Sequence, residues 1–394
     1  MKWFTHLLTG AGLVLAVSLS AGAGSAEDIK IGYITDLSGP LAGSYTPTWE
    51  GFELYMKAAN DAGGFNGNKV SISLDDDGLR ADRAVAAAKK QFEQEGVVGI
   101  FGLSLSSTQG PVLTETRKAG VPVATSFSAI LDALPPAQPY TYSTGVVFEV
   151  AGEAIGHLAQ RIVPNGKVVG MTFDSVGGRA AMRHNMEIAR KLGYSWDEVI
   201  FPIRTSDFTP FAQTAAGMKP DIVVGHYGAG QNVGMIPALR AAGYMGPYII
   251  ASYGASEVTA EEAATLAGSP DNIYMVSRYV PGTADAPGLA ALKAAAEKYG
   301  VSDPNSMHVT GWVLGMLAGA ALEKCGADCT RDKLDAALAS AEIDTQGLTG
   351  GPITMTAGDH YGPTYWGLYK WDGEQLVQEG DWLRRDAIEI PLQQ

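Results

Sequence analysis

Four hydroxyl side chains stand close together at Ser104, Ser106, Ser107 and Thr108. They follow a short apolar run that predicts a buried strand, and they lead into a predicted helix. Hydroxyls and free backbone N–H groups at the first turn of a helix suit an anion, and a small carboxylate in particular. N-capping would explain one of these residues but not all four. We therefore predict an anion-binding site at this helix N-terminus.

Three aromatic residues follow other predicted strands at the equivalent place. They are Phe127, Tyr227 and Tyr253. In open α/β sheets ligands bind beyond the carboxyl ends of the strands, so these rings would converge on the same crevice as the hydroxyl groups. Core packing explains any single ring equally well, but their shared position favours contact with a ligand.

Residue patterns typical of enzymes are sparse. The chain has no Gly-x-Ser-x-Gly nucleophile elbow and no Gly-x4-Gly-Lys-Ser/Thr phosphate loop. The five histidines that follow the first 26 residues are widely scattered and match no metal-binding pattern: His157, His184, His226, His308 and His360. The sequence therefore predicts no catalytic residue, no metal site and no cofactor.

Two weaker patterns favour structure over ligand binding. Gly228 and Gly230 follow a predicted strand, as in a dinucleotide fingerprint, but Gly234 stands one residue too far along. A tight strand-to-helix turn explains these glycines. The run Asp75-Asp76-Asp77 lacks the spaced oxygen ligands of a calcium loop. We expect these carboxylates to be solvated at a strand end.

The two cysteines, Cys325 and Cys329, are four positions apart and follow a helical stretch. This is not the spacing of a redox motif, and no histidines stand nearby to complete a zinc site. A local structural disulfide is favoured over a free pair. The uncharged run Val309–Leu322 before them is too short to span a membrane, and we expect a buried helix.

The first 26 residues are typical of a secretory signal. Lys2 supplies a positive charge, Leu7–Leu19 is an uncharged apolar run, and Gly24-Ser25-Ala26 offers small residues for cleavage. The alternative, a membrane anchor, needs roughly 20 apolar residues, and the run is shorter. We expect cleavage after about Ala26 and export of a soluble protein.

Length and composition limit the remaining possibilities. A chain of 394 residues predicts about two domains and a core large enough to fold without metal or disulfide support. An apolar content of 46% argues against disorder. The net charge of −14 disfavours nucleic-acid binding, because an acidic surface repels the phosphate backbone.

Short β-rich runs alternate with helical patterns along the mature chain. Ile29–Ile34 predicts a strand, and Thr46-Pro47 predicts an N-cap with proline at the first helical position. The alternation restarts after Thr144-Gly145. Such repetition predicts parallel pairing with helices on both faces of each sheet, hence an α/β fold with two doubly wound lobes. The other predicted strands are 70–74, 97–101, 121–124, 167–171, 198–201, 221–224, 248–251 and 364–371.

Several stretches also occur in a fixed order that carries a resemblance to a known family. They are Ile29-Lys30-Ile31-Gly32, Leu37-Ser38-Gly39-Pro40-Leu41-Ala42, Asn60-Asp61-Ala62-Gly63-Gly64-Phe65-Asn66-Gly67-Asn68-Lys69, Asp75-Asp76-Asp77, Ser106-Ser107-Thr108-Gln109, Ser206-Asp207-Phe208-Thr209 and Leu239-Arg240-Ala241-Ala242-Gly243. Together they resemble the leucine/isoleucine/valine-binding family, the type I periplasmic substrate-binding proteins of ABC transporters. The likeness covers essentially the whole mature chain.

The resemblance implies two lobes joined by three crossing strands, with the ligand cleft between them. After a signal peptide at 1–26, the first lobe would comprise 27–144 and 278–366, and the second 145–277 and 367–394. Ligand contacts to both lobes would stabilise a closed form, which the membrane permease recognises. The implied protein is a periplasmic monomer that serves an ABC transporter permease and does not bind nucleic acid.

The same resemblance assigns ligand contacts. Family members hold a ligand carboxylate with the serine-rich loop, here Ser104 to Thr108, and with the segment after the next strand. Leu105 stands where a serine is usual, and Tyr45 and Tyr227 match aromatic contacts. The ligand-binding residues so predicted are Tyr45, Ser104, Ser106, Ser107, Thr108, Phe127, Ser128, Ala129, Gly178, Tyr227, Tyr253 and Arg278.

The second half of the site departs from the amino-acid binders of that family. Gly177-Gly178 replaces an aromatic residue, and Ser252-Tyr253 replaces the acid that pairs with a ligand ammonium. A buried ammonium without a carboxylate partner is unfavourable. Arg179 and Arg278 could instead hold a second carboxylate or a phenolic oxygen. We expect an amphipathic or aromatic carboxylate, with a branched-chain or aromatic amino acid as the alternative.

Two other functions stay open at this point. A sensor lobe that signals to a membrane receptor would share this fold. A secreted enzyme on a similar scaffold is disfavoured by the missing nucleophile and metal patterns. The main hypothesis is a binding protein without catalytic activity that delivers a small carboxylate to an importer.

Overall fold

The protein is described here as a computed structural model. The structure describes residues 28–126, 130–174, 176–202, 204–226, 229–251 and 271–387. Two large sheets, each flanked by helices, account for most of these residues. The predicted α/β fold class is therefore confirmed.

The first sheet has five parallel strands in the order β2-β1-β3-β4-β5. The order reverses between β1 and β3, and the loops that follow these two strands flank a crevice at the carboxyl edge. The strands are β1 (Ile29–Thr35), β2 (Val70–Asp76), β3 (Ile100–Gly102), β4 (Val123–Thr125) and β5 (Thr141–Ser143). The helices between them are α1 (Ala42–Asp61), α2 (Ala81–Lys89), which continues as a π-helical segment (Lys90–Glu95), and α3 (Ser106–Lys118).

The second sheet repeats this arrangement. Its parallel strands run in the order β7-β6-β8-β9-β10, so the order reverses between β6 and β8, and antiparallel β13 extends it beyond β10. The strands are β6 (Gly166–Phe173), β7 (Tyr194–Phe201), β8 (Ile222–His226), β9 (Tyr248–Ala251), β10 (Ile273–Ser277), β13 (Tyr365–Trp371), β14 (Leu376–Gln378) and β15 (Leu383–Arg384). The helices are α4 (Phe148–Ile162), α5 (Val176–Lys191), α6 (Thr209–Gly217) and α7 (Ala229–Ala241).

Three more helices, which follow β10 in the sequence, pack with α1 in the core of the first sheet. They are α8 (Pro287–Tyr299), α9 (Ser306–Cys325) and α10 (Arg331–Leu338), followed by the short pair β11 (Glu342–Ile343) and β12 (Ile353–Thr354). Helix α9 contacts α1 so closely that a Cβ at Gly311 would lie 1.8 Å from the carbonyl oxygen of Thr48. The expected buried helix at Val309–Leu322 is confirmed.

The end of α9 is fixed by both covalent and polar contacts. A disulfide joins Cys325 to Cys329. The side-chain amide of Asn66 donates to the carbonyl of Glu323 at 2.9 Å, and that of Asn68 donates to Ala327 at 2.7 Å. The first bond satisfies a carbonyl group that the helix end leaves without a partner, and the second holds the loop that follows the helix. No helix in the described ranges has both the length and the apolar character that crossing a membrane requires.

Some elements differ from the sequence-based expectations. Helix α1 begins at Ala42, so the prediction of Pro47 at its first position is wrong. The carboxylate of Asp36 accepts the backbone N–H groups of Gly39 and Leu41, which arranges the chain for an earlier helix start. The pattern analysis also missed α4 and β10. The predicted lobe boundaries stay a prediction.

Candidate functional site

The loop after β1 is organised around a buried carboxylate. Asp36 is fully buried and accepts the N–H of Leu41 at 3.0 Å as well as that of Gly39. These two hydrogen bonds hold the loop against the start of α1. Tyr45, a predicted ligand contact, lies in the first turn of this helix, and its ring is buried. This loop forms one side of the point where the strand order reverses.

The loop after β3 forms the other side. Gly102 and Leu103 both have left-handed backbone, with φ of 98° and 68°. A Cβ at Gly102 would lie 2.8 Å from the ring of Tyr33, so this position needs glycine for space as well as conformation. The N–H of Leu103 donates to the carbonyl of Ile34 at 2.7 Å. The tight turn carries Ser104 into the interior.

Ser104 is fully buried and its hydroxyl donates to Oδ1 of Asp77 at 3.0 Å. Oδ1 also accepts the N–H of Leu79 at 2.8 Å. Burial, together with the charges of Asp36 and Asp76, raises the pKa of Asp77. The expectation of a solvated acidic strand end is therefore wrong for Asp77. This residue is fully buried, and it joins the loop after β2 to the loop after β3.

Helix α3 begins without a side-chain cap, because Leu105 occupies its N-cap position. Ser106 and Ser107 are exposed in its first turn. Thr108 is buried, and its hydroxyl donates to the carbonyl of Leu105 at 2.9 Å. Two of the four predicted hydroxyl groups therefore face solvent at the helix N-terminus, while those of Ser104 and Thr108 donate to protein acceptors.

Buried hydroxyls line the ends of the neighbouring strands. The side-chain oxygens of Thr125 and Ser143 are 2.7 Å apart at the ends of β4 and β5. Ser126 is also buried and forms a hydrogen bond with the hydroxyl of Tyr33. The predicted contacts Phe127, Ser128 and Ala129 lie directly after this point and are outside the described residues.

In the second sheet, the carboxyl edge carries a buried histidine. His226 ends β8, and its ring nitrogens are 3.2 and 3.3 Å from the side-chain nitrogen of Asn185 on α5. Its backbone carbonyl accepts the hydroxyl of Thr172 at 2.9 Å. Burial lowers the pKa of His226 to about 3, so the ring is neutral at physiological pH.

The other predicted residues of this half are only partly placed. Gly178 lies in the first turn of α5 and is half-buried. Arg179 is exposed and its Nε donates to Asp174 at 2.7 Å, so its charge is already paired with a carboxylate. Tyr227 and Tyr253 are outside the described residues.

Arg278 follows β10, where the chain leaves the second sheet. It is buried, donates to the carbonyl of Thr144, and its guanidinium lies 4.8 Å from the ring centre of Tyr279. A small cavity beside it is also lined by Thr364 and Tyr365. The structure therefore places Arg278 between the segments that join the two sheets.

A scan against protein-family models matches residues 28–375 to the family described as periplasmic binding protein. This match spans the first sheet, the second sheet as far as β13, and the loops described above. The chain belongs to the periplasmic binding protein family. The resemblance seen in the sequence is thereby confirmed.

Curated relatives of this periplasmic binding protein are named as Leu/Ile/Val-binding protein homologs. It is 25% identical to a "Leu/Ile/Val-binding protein homolog 8" of Brucella suis, over 77% of this chain and 78% of the relative. It is 24% identical to a "Leu/Ile/Val-binding protein homolog 7" of Brucella abortus, over 78% of this chain and 80% of the relative.

Solved structures share the fold of this periplasmic binding protein. A branched-chain amino acid ABC transporter protein of Thermus thermophilus with bound valine superposes with a TM-score of 0.81, at 16% identity, and covers 92% of this chain and 97% of its own. A solute-binding protein of R. palustris in complex with benzoate superposes with a TM-score of 0.74, at 22% identity, and covers 93% of this chain and 100% of its own. These likenesses establish the type I binding-protein fold.

Sequence reasoning missed the roles of Asp36 and Asp77, which hold the two loops at the reversal point of the first sheet. Asp36 directly follows β1 and Asp77 directly follows β2, two and three residues beyond the predicted strand ends, and this position was the available signal. It also left His226 without a role. Among the described residues, no group of three or more histidine, cysteine, aspartate or glutamate side chains is arranged to bind a metal ion.

Proposed function

We propose that this periplasmic binding protein captures a small carboxylate and delivers it to an ABC importer. The observation that carries the proposal is the uncapped N-terminus of α3 with Ser106 and Ser107 exposed. It stands at the reversal point of the first sheet, where ligands bind in open α/β folds. Backbone N–H groups and the positive end of the helix dipole favour a carboxylate there.

The capture involves closure of two lobes over the ligand. The first lobe comprises 27–144 and 278–366, and the second comprises 145–277 and 367–394. Each lobe contains one of the two sheets, with β13 beginning at Tyr365 close to the last boundary. A ligand that contacts both lobes stabilises the closed arrangement by its greater affinity for that state.

The ligand that we propose is an amphipathic or aromatic carboxylate. Ser252 and Tyr253 stand where amino-acid binders of the family place the acid for a ligand ammonium. The benzoate complex of the R. palustris protein supports this ligand class on a related scaffold. A branched-chain or aromatic amino acid is the second candidate, supported by the valine complex of the Thermus thermophilus protein.

The protein acts in the periplasm after cleavage of its first 26 residues. The family match supports this location. Substrate-binding proteins of this kind bind their ligand without chemical change, so we propose that the chain has no catalytic activity. Delivery to a permease is favoured over signalling, because the related structures named above are described as transporter or solute-binding proteins.

A ligand screen by thermal shift tests the proposal. Benzoate and related aromatic carboxylates are expected to raise the melting temperature, and valine and leucine form the second panel. A large shift with valine and none with benzoates would contradict the ligand class. No shift with any carboxylate or amino acid would contradict the anion site itself.

Variants at the exposed hydroxyls locate the site. The double change Ser106→Ala and Ser107→Ala is expected to weaken binding of the selected ligand at least tenfold, measured by calorimetry, while the melting temperature of the free protein stays unchanged. Ser302→Ala, an exposed serine elsewhere in the chain, is the matched control and should bind normally. Unchanged affinity in the double variant would exclude these hydroxyls from the site.

A further inference from the structure

Three segments carry the chain between the two sheets. Residues 144–147 join β5 to α4, residues 278–280 follow β10, and residues 361–364 precede β13. We call these three segments the crossing segments. Any movement of one sheet relative to the other must either strain or preserve the contacts among these segments.

Tyr361 connects the first and third crossing segments through both its backbone and its side chain. It is fully buried and forms a parallel bridge with Ser143 at the end of β5. On either side of it, Ser143 donates to the carbonyl of His360 at 3.0 Å and accepts the N–H of Gly362 at 2.7 Å. The Tyr361 hydroxyl accepts the N–H of Val147 at 3.3 Å, where α4 begins.

An arginine from the end of the chain holds Tyr361 from a third direction. The guanidinium of Arg385 donates to the carbonyl of Tyr361 at 2.6 Å and lies 5.3 Å from the centre of its ring. The guanidinium also pairs with Asp359, and the backbone N–H of Arg385 donates to the carbonyl of Thr364 at 2.7 Å. Arg385 directly follows β15, which pairs with β13 in the second sheet.

The second crossing segment meets the first beside the same tyrosine. Arg278 donates to the carbonyl of Thr144, and its positive charge counteracts the rise that burial causes in the pKa of Tyr361. The Tyr361 side chain therefore interacts with Val147 of the first crossing segment, with Arg278 of the second, and with Arg385, which follows β15. Within the described ranges, Tyr361 is bonded directly to residues that belong to both proposed lobes.

We propose that Tyr361 is the positioning residue of the hinge and sets the arrangement that the two lobes adopt without ligand. This inference rests on the two-lobe closure proposed above. Hinges are short segments that absorb changes in backbone angles. The bond from Val147 to the Tyr361 hydroxyl couples the backbone of one crossing segment to another, so it restricts the angles available to both.

The test measures the distance between the lobes in the absence of ligand. Spin labels are attached at Arg83→Cys and Ser206→Cys, two exposed positions on opposite lobes. Both native cysteines are in a disulfide, so the introduced thiols are labelled selectively. In this background Tyr361→Phe removes only the hydroxyl. We expect its distance distribution to shift or broaden relative to the parent.

The matched control is Tyr248→Phe. Tyr248 is also fully buried, and its hydroxyl donates to Asn232 at 2.8 Å, but both residues belong to the second lobe. This variant is expected to lower the melting temperature about as much as Tyr361→Phe does. It should leave the distance distribution unchanged. If both variants give the parent distribution, Tyr361 does not set the hinge and the inference fails.

Arg385→Gln is the second hinge variant, and it keeps the proposal testable if Tyr361→Phe does not fold. It should also alter the distribution, because it removes the cation that holds the Tyr361 carbonyl. An unaltered distribution in this variant would likewise overturn the proposal. These measurements need no ligand, so failure of the ligand screen and failure of the hinge assignment are separate results.

Discussion

The hydroxyl of Ser104 donates to the carboxylate of Asp77 across 3.0 Å, and both residues are fully buried. Two loops that are about 27 positions apart in the chain are thereby joined beside the proposed ligand site. A ligand carboxylate also needs donors, and this hydroxyl proton is already engaged. Ser104 therefore supports the loop in the described structure, while Ser106 and Ser107 present their hydroxyls to solvent.

This relationship predicts different outcomes for neighbouring serines. Ser104→Ala should lower the free energy of unfolding by about 1–2 kcal/mol, because a buried carboxylate loses a donor. Urea unfolding measures the change, and the exposed Ser302→Ala is the control. The same variant should lose less ligand affinity than the double change at Ser106 and Ser107. An unfolding free energy equal to that of the parent would show that the bond to Asp77 does not stabilise the loop.

His226 predicts how stability depends on pH. Its pKa is about 3 in the folded protein, against 6.5 as the ordinary value, because burial disfavours the charged ring. The unfolded chain therefore binds a proton that the folded chain does not between pH 6.5 and about 3. Stability attributable to this residue is complete above pH 6.5 and falls by about 1.4 kcal/mol per pH unit below it.

Replacement of this histidine should reduce that slope. His226→Gln is expected to flatten the decrease in unfolding free energy between pH 6.5 and 4.5, as measured by urea titrations at several pH values. His157→Gln is the comparison, since burial also lowers the pKa of His157 although that ring is only half-buried. If both variants follow the parent curve, His226 is not the residue responsible.

The contact between α1 and α9 predicts a strong effect of a single methyl group. Gly311→Ala would place a Cβ 1.8 Å from the carbonyl oxygen of Thr48, and backbone must move to accept it. We expect a loss of about 3 kcal/mol in unfolding free energy, at the upper end for overpacking. Gly43→Ala, in α1 with no atom within 4 Å, is the control and should be neutral or slightly stabilising. Equal stabilities for the two variants would contradict the close contact.

The disulfide is expected to contribute to stability but not to ligand binding. Reduction of Cys325–Cys329 opens a loop of five residues, which the chain-entropy model values at about 2 kcal/mol. The disulfide lies at the end of α9, near Asn68, which just precedes the amino end of β2. The proposed site lies at the opposite, carboxyl edge of the sheet. Dithiothreitol should therefore lower the melting temperature and leave ligand affinity unchanged. A loss of ligand affinity on reduction would show that the disulfide and the proposed ligand site are coupled.

Much of the fold follows from local pattern. The strand predicted at Ile29–Ile34 is β1 without its last residue, and the buried helix expected at Val309–Leu322 lies within α9. The start of α1 was missed because proline is typical of the first helical position, whereas Pro47 lies inside α1. The determining contacts are the bonds from the N–H groups of Gly39 and Leu41 to the side chain of Asp36. The strand β10 was missed because its role depends on β9 and β13, which are distant in the sequence.

The candidate site was predictable in its location and less so in its details. The serine-rich loop at the end of β3 could be placed from its position after a strand. The burial of Ser104 could not, because it depends on the left-handed backbone of Leu103 and on Asp77 from another loop. Arg278 was expected at the ligand, and its contact with Thr144 depends on chain crossings that no local pattern encodes.

The glycine contact between α9 and α1 also limits how the position of Tyr45, a proposed ligand contact, can change. Helix α1 carries Tyr45 near its start, and the backbone of α9 lies against it with no room for a side chain at Gly311. Tyr45 therefore lies on a helix, α1, that cannot separate from α9 or slide along it without disrupting the core. The helices of the second sheet show no comparable backbone contact in the part of the chain that the structure describes, so substitutions on their facing surfaces are expected to cost less stability than one at Gly311.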